Sequence, residues 1–304
     1  MKKTLKIIGI IIGILVVTEL LAYCCYNLKY FEMMKIQWAN GNKFFMKYEI
    51  PTEFDPERPP YNSEAIRTFE KKTTKKPIAF VGCSFTEGTC LKDNETLAYR
   101  ISDLTNRTTY LRGVSGTGLA YVYYQILNKT IPQDVEYVVY TYFFGHLERL
   151  YNYQLGFWST EINLRYIQKD GKIVQATFPK GIINSLYSTK LAEEYIANKK
   201  SLKEYSDYQL FKAILKDMTV QFKKNYPNSK FVFLDYPFEE KDYCKLPKDV
   251  VDYIKSLGFI YIEADALTGK QLGTLEYKVK GEGLHPSAEA WQEVAPKMVK
   301  KLGL

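Results

Sequence analysis

From Lys76 onward the chain alternates short apolar runs, rich in β-branched and aromatic residues, with longer amphipathic stretches, and this alternation restricts its fold more than any other feature. Ile78 to Val81, Thr108 to Leu111, Val135 to Phe144, Lys230 to Leu234 and Phe259 to Ile262 predict strands. Glu95 to Leu104, Leu119 to Leu127, Tyr208 to Lys224 and Lys248 to Leu257 predict helices between or beside them. A last helix is expected from about Pro286 to Leu302, with Pro286 suited to a first helical position and Glu289 to the positive end of the dipole. Strands that return through helices pair in parallel and are covered on both faces. The expected class is therefore α/β, a three-layer α/β/α sandwich with a mostly parallel sheet. Residues 150 to about 205 interrupt the pattern. Within them Leu164 to Thr177 reads as a hairpin turning at Asp170 and Gly171, an insertion placed to shape a pocket beside the third strand.

The first segment follows a different logic. Lys2, Lys3 and Lys6 precede Ile7 to Val17, and after Thr18 and Glu19 the apolar character resumes from Leu20 to Tyr26. At about 1.5 Å per residue this stretch is long enough for a bilayer core of roughly 30 Å, with Glu19 toward the distal end where its cost is reduced. A cleaved signal peptide shares the basic start and apolar run, but no small-x-small site follows, and Tyr23 stands where a lipoprotein cleavage box needs a small residue before Cys24. An N-terminal transmembrane helix over residues 1–28 is the favoured expectation. The positive-inside rule then leaves a short tail in the cytoplasm and the remainder outside. Residues 29–75, punctuated by Pro51, Pro56, Pro59 and Pro60, are expected to form a juxtamembrane stalk packing on the main domain, which occupies residues 76–304.

The net charge of +8 is spread along the chain with no nucleic-acid motif, so a solvated basic surface accounts for it and no nucleic-acid partner is expected. With 2 histidines far apart and no clustered carboxylates, metal chemistry is not expected. Gly113, Gly116 and Gly118 match no phosphate-loop spacing, so no cofactor is expected. If the domain is exported, Cys83, Cys90 and Cys244 are available for pairing, and spacing does not choose among them.

Ser84 follows the first strand in the run Gly82, Cys83, Ser84, Phe85, Thr86, which places a hydroxyl at the carboxyl edge of the sheet, where open α/β folds bind ligands. A serine becomes a nucleophile only beside a base. His285, in the late run Leu284, His285, Pro286, Ser287, can supply that base, and Glu282 can orient its imidazole. Acyl transfer also needs donors for a developing oxyanion. Backbone N–H groups in Gly113 to Gly118, and the Gly145, His146 turn after the third strand, are candidates. Each has a plainer reading: Ser84 as a turn serine, His285 as a helix cap, Glu282 as a surface carboxylate, Gly116 as a positive-φ turn, His146 as a packed core group. Glu148 and Arg149 read as a solvated or structural face, and Cys83 is expected to point away from the site.

These residues together resemble the SGNH, or GDSL-like, hydrolases, a three-layer α/β family of serine esterases, lipases and carbohydrate acyl-modifying enzymes. Gly82, Cys83, Ser84, Phe85, Thr86, followed by Gly88 and Asp93, Asn94, Glu95, Thr96, is similar to the variant in which the family's Gly-Asp-Ser block becomes Gly-x-Ser-Phe-Thr. By that resemblance Ser84 is the nucleophile and its N–H joins an oxyanion hole with Gly116. The family's third block donates through an asparagine where this chain has Gly145, His146, Leu147, so His146 takes that place. Its Asp-x-x-His block corresponds to Glu282, Gly283, Leu284, His285. The resemblance covers roughly residues 60 to 304, outside the anchor and the insertion. It implies an esterase or O-acyltransferase acting through a Ser84 acyl-enzyme on an acyl ester of a cell-envelope glycan or lipid, with a glycan as possible acceptor. The altered third and fourth blocks keep a second expectation open: a catalytically impaired module that binds envelope polysaccharide or an assembly partner.

Overall fold

Ile78–Gly82 and Tyr137–Tyr142 are buried at every position, as expected of strands covered on both faces, and they pair in parallel from Ile78 against Tyr137 to Gly82 against Thr141. They form the centre of the sheet in the computed structural model, which describes residues 67–151, 165–176, 208–238, 245–281 and 284–304. In chain order the elements are β1 (Arg67–Phe69), β2 (Ile78–Gly82), α1 (Ser84–Glu87), α2 (Leu97–Thr105), β3 (Thr109–Gly113), α3 (Leu119–Leu127), β4 (Tyr137–Tyr142) and α4 (Gly145–Tyr151). They continue with β5 (Arg165–Lys169), β6 (Lys172–Ala176), α5 (Gln209–Asn225), β7 (Lys230–Asp235), α6 (Lys248–Ser256), β8 (Ile260–Glu263), α7 (Ala264–Thr268) and α8 (Ala288–Leu302). The sheet runs β1-β3-β2-β4-β7-β8, parallel except for β1, which pairs antiparallel with β3. The predicted α/β class with a mostly parallel sheet is the observed one.

One core joins Ile78, Phe80, Leu111, Val139, Leu234 and Ile262 of the strands to Ile101 of α2 and to Trp291, Val294 and Met298 of α8. Elsewhere aromatic contacts bind the sheet to α5: Tyr142 meets Phe211 at 5.8 Å between ring centroids, and Phe231 meets Phe222 at 5.2 Å. β5 and β6 form the predicted hairpin, and both of its turn residues, Asp170 at φ +50° and Gly171 at φ +75°, take the left-handed region that a two-residue hairpin of primed type requires.

Three local expectations differ from the structure. β1 lies in the stretch read as stalk, yet Arg67 pairs with Leu111 and Phe69 with Thr109, which completes the edge of the sheet. The first long helix starts at Leu97, two positions later than expected, because Thr96 caps it by accepting the Tyr99 N–H. The last helix starts at Ala288 with Ser287 as its cap. Pro286 lies outside it, bridged to Lys278, so a hydroxyl cap outweighs proline's preference for the first turn. Residues 1–66, and with them the expected anchor and most of the stalk, lie outside the described residues, as do Cys244, Glu282 and most of the insertion. Among the described residues no helix is long and apolar enough to cross a membrane.

The topology fixes where chemistry can occur. β2 continues to β3 on one side while β4 beside it continues to β7 on the other, so the connections that leave the carboxyl ends of β2 and β4 diverge. That divergence opens the crevice in which doubly wound sheets hold ligands. Ser84, the Gly113 to Gly118 loop and Gly145 all follow strand ends at this edge.

Candidate active site

α1 begins immediately after β2 because two glycines let it lie against the sheet. Gly82 has φ +147°, and a Cβ there would stand 2.3 Å from Thr86 Oγ1. Gly113, its register partner on β3, would place a Cβ 2.6 Å from Glu87 N and 2.8 Å from Cys83 O, both backbone atoms. Gly113→Ala is accordingly expected to push α1 off the end of β3, costing about 1–3 kcal/mol as overpacking does. Chemical denaturation checks this, and a change below about 0.5 kcal/mol would contradict the packing account.

α1 starts at Ser84, and Cys83 Sγ accepts the Phe85 N–H at 3.5 Å. Cys83 is thus a buried cap of α1, and its sulfur lies 3.9 Å from Ser84 Oγ, closer than a side chain pointing away from the site would come. Across 201 residues, His285 Nε2 stands 2.8 Å from Ser84 Oγ, and both residues are buried, at 7% and 6% exposure. Two backbone bonds hold the His285 turn: Val279 N–H donates to His285 O and Ser287 N–H to Tyr277 O, each at 2.9 Å, flanking the Lys278–Pro286 bridge. The Ser287 side chain then caps α8, whose Trp291 is anchored in the core. The histidine is fixed on both sides without using its ring. Its imidazole meets the Phe85 ring edge-on at 5.5 Å, and Phe85 stacks on Phe143 at 4.2 Å.

The loop after β3 is drawn to the same place. Val114 N–H and Thr117 Oγ1 both donate to Gly82 O, at 2.9 and 3.2 Å, and Gly116 takes φ +77°. Arg149 of α4 donates to Thr117 O and lies over the Phe143 ring at 5.1 Å, which makes it a structural tie rather than a solvated charge. Among the described residues neither the Ser84 nor the Gly116 N–H donates to a protein acceptor, so both are left for a ligand. A hydroxyl on an imidazole can perform nucleophilic acyl chemistry where unused N–H groups, such as those of Ser84 and of Gly116 in the adjoining loop, can receive the oxyanion.

The sequence matches no protein-family model and no curated protein. Solved structures do resemble the chain. A protein from Desulfitobacterium hafniense DCB-2, described as a lipolytic protein of the G-D-S-L family, is 10% identical, with a TM-score of 0.46 over 74% of this chain and 99% of its own. An acetylxylan esterase from Geobacillus stearothermophilus is 13% identical, with a TM-score of 0.45 over 77% of this chain and 97% of its own. A phospholipase A1 from Streptomyces albidoflavus NA297 is 12% identical, with a TM-score of 0.40 over 74% and 99%. Likeness at this level carries no weight for fold or chemistry, which rest on the topology and distances above.

His146 is placed differently from Ser84 and His285. It is fully buried, its Nδ1 lies 2.7 Å from Tyr140 Oη, and its ring contacts Tyr140, Tyr142 and Phe143. Burial first, and the neighbouring Arg149 second, hold its pKa well below the ordinary 6.5, so it is neutral at physiological pH. Nε2 has no partner. In the tautomer in which Tyr140 donates to Nδ1, Nε2 carries the proton and remains a donor. Glu282 lies outside the described residues. No group of His, Cys, Asp and Glu among the described residues forms a metal site.

Sequence reasoning passed over Asp235, at the carboxyl end of β7 between Tyr142 and Glu263 in register. Burial raises its pKa from 3.8 to about 7; the Tyr261 hydroxyl, donating at 2.5 Å, opposes this, while Glu263 and Asp265 reinforce it. Because the folded pKa lies above the unfolded one, the stability contributed by protonated Asp235 is fully present below pH 3.8 and is lost as pH rises toward about 7. Asp235→Asn removes that slope. Its stability relative to the parent is expected to rise by about 2 kcal/mol between about pH 5 and about pH 8 in paired denaturation curves. Parallel pH profiles for the two proteins would contradict the assignment.

Proposed function

We propose that this protein is a serine-dependent esterase or O-acyltransferase of the SGNH type, and the single observation that carries the reading is the 2.8 Å contact between Ser84 Oγ and His285 Nε2 at the carboxyl edge of the sheet. The order of events follows from the groups present. Ser84 Oγ attacks the ester carbonyl carbon as its proton passes to His285 Nε2. The resulting oxyanion takes hydrogen bonds from the Ser84 and Gly116 N–H groups, with His146 Nε2 as the remaining candidate donor. Collapse breaks the carbon–oxygen bond to the alcohol, which leaves with the proton from His285, and Ser84 remains acylated. Water or a sugar hydroxyl then gives its proton to His285 and attacks the acyl carbon, and the bond to Ser84 Oγ breaks as that oxygen takes the proton back from His285. Glu282, three residues before His285, is the carboxylate we assign to orient the imidazole.

The substrate in this reading is an acyl ester of a cell-envelope glycan or lipid. The α/β domain stands outside the membrane on an anchor formed by residues 1–28, a placement motivated by the basic start and apolar run of the sequence. A direct test incubates the purified chain with chromogenic esters of acetate and of longer acids, with and without soluble envelope oligosaccharides. Acyl release that depends on Ser84 supports the reading, and acylated oligosaccharide would identify transfer. Absence of release from every ester, with oligosaccharide binding retained after Ser84→Ala, would instead favour a binding module.

A further inference from the structure

Glu87 lies one helical turn after Ser84, and its carboxylate reaches across to the loop after β3. Oε2 accepts the Ser115 N–H at 2.8 Å and the Ser115 hydroxyl at 2.5 Å. Ser115 Oγ also lies 3.1 Å from Thr89 Oγ1. Glu87 is itself tied to the nucleophile: the Gly88 and Thr89 N–H groups both return to Ser84 O, at 2.9 and 3.1 Å, and Arg67 donates to the Glu87 carbonyl. Ser115 immediately precedes Gly116, whose unused N–H belongs to the peptide plane between the two residues. The direction of that N–H is therefore governed by where Ser115 is held on one side and where Thr117 is held on the other. Thr117 is fixed by its own hydroxyl to Gly82 O and Val114 O and by Arg149. On the Ser115 side both donors of the residue end on the one Glu87 oxygen.

We propose that Glu87 is a positioning residue: by clamping Ser115 it holds the Gly116 N–H toward the place above Ser84 where the oxyanion forms. This role rests on the proposed serine chemistry. It couples the nucleophile and an oxyanion donor through one side chain, so that α1 and the β3 loop move together. A carboxylate so near a developing negative charge is tolerable because its charge is already taken up by two Ser115 donors.

The test uses the full chain and the rate at which a fluorophosphonate modifies Ser84. Glu87→Ala is expected to slow labelling by about tenfold to a hundredfold, less than the roughly 10²–10³ typical of outright loss of an oxyanion donor. Glu87→Gln keeps an oxygen for the Ser115 N–H and is expected to recover to within about threefold of the parent. Ser115→Ala added to Glu87→Ala should slow labelling no further, since the two act through one contact. Amide exchange at Ser115, whose N–H Glu87 accepts, should quicken in Glu87→Ala, a readout that needs no chemistry at Ser84. Parent protein that labels while Glu87→Ala labels equally fast, or a glutamine variant as slow as the alanine one, overturns the clamp alone. Folded parent protein that never labels at Ser84 overturns the esterase reading and this role with it.

Discussion

Replacing Ser84 with alanine is expected to reduce ester turnover by about 10⁶ in kcat, to the residual rate that binding and oxyanion donors support without a nucleophile. The expectation follows from position as much as identity. Ser84 is the first residue of a helix that two glycines let lie against the sheet end, and its hydroxyl stands 2.8 Å from His285 Nε2. The substitution should leave the fold intact, because the cap of α1 belongs to Cys83 and the loop ties to Glu87 and Thr117. Loss of activity with an unchanged melting temperature is therefore the expected pair of results. Turnover within tenfold of the parent, in protein purified free of other esterases, would rule out an acyl-enzyme at this residue.

His285→Ala is expected to have nearly as large an effect, about 10⁴–10⁶ in kcat, with KM little changed, because in the proposed mechanism the imidazole acts on the proton of Ser84 and not on substrate binding. The backbone bonds that fix this turn run through His285 O, Val279 N, Ser287 N and Tyr277 O, and they survive removal of the ring. Effects of groups acting as a unit do not add, so Ser84→Ala with His285→Ala should be no slower than either alone. Steady-state kinetics of the three variants checks this. A double variant slower than the singles by the product of their effects would show two independent contributions and contradict a nucleophile–base pair.

The parts of the fold that could be read from the sequence are those where burial writes itself into composition. β2 and β4 are apolar or aromatic at every position but Thr141 because both faces are covered, and α5 and α8 carry long amphipathic stripes. β1 escaped because three partly exposed residues beside a proline-rich stretch carry no period, and α1 because four residues make a single turn. The start of α8 was displaced since proline and serine in adjacent positions both signal a helix beginning, and only the Ser287 bond to Ala290 N–H decides between them. At the site, Ser84 and His285 stood out because glycine and proline punctuate them at predicted element boundaries. Glu87 did not, since its partner lies 28 residues away and a carboxylate on a short turn reads as surface. Asp235 has an ordinary sequence context, and its raised pKa comes first from burial at the end of β7 and then from Glu263 and Asp265, which only the fold brings beside it.

Peptide mass spectrometry of the full chain after treatment with a fluorophosphonate separates an activated Ser84 from an inert one. A serine becomes reactive to this reagent when a base removes its proton and donors receive the oxyanion, which are the two features assigned to His285 and to the Ser84 and Gly116 N–H groups. The account predicts a phosphonyl adduct on the peptide containing Ser84, formed by the parent and absent from folded His285→Ala. A folded parent without an adduct at Ser84, or an adduct that forms equally fast without His285, would contradict it.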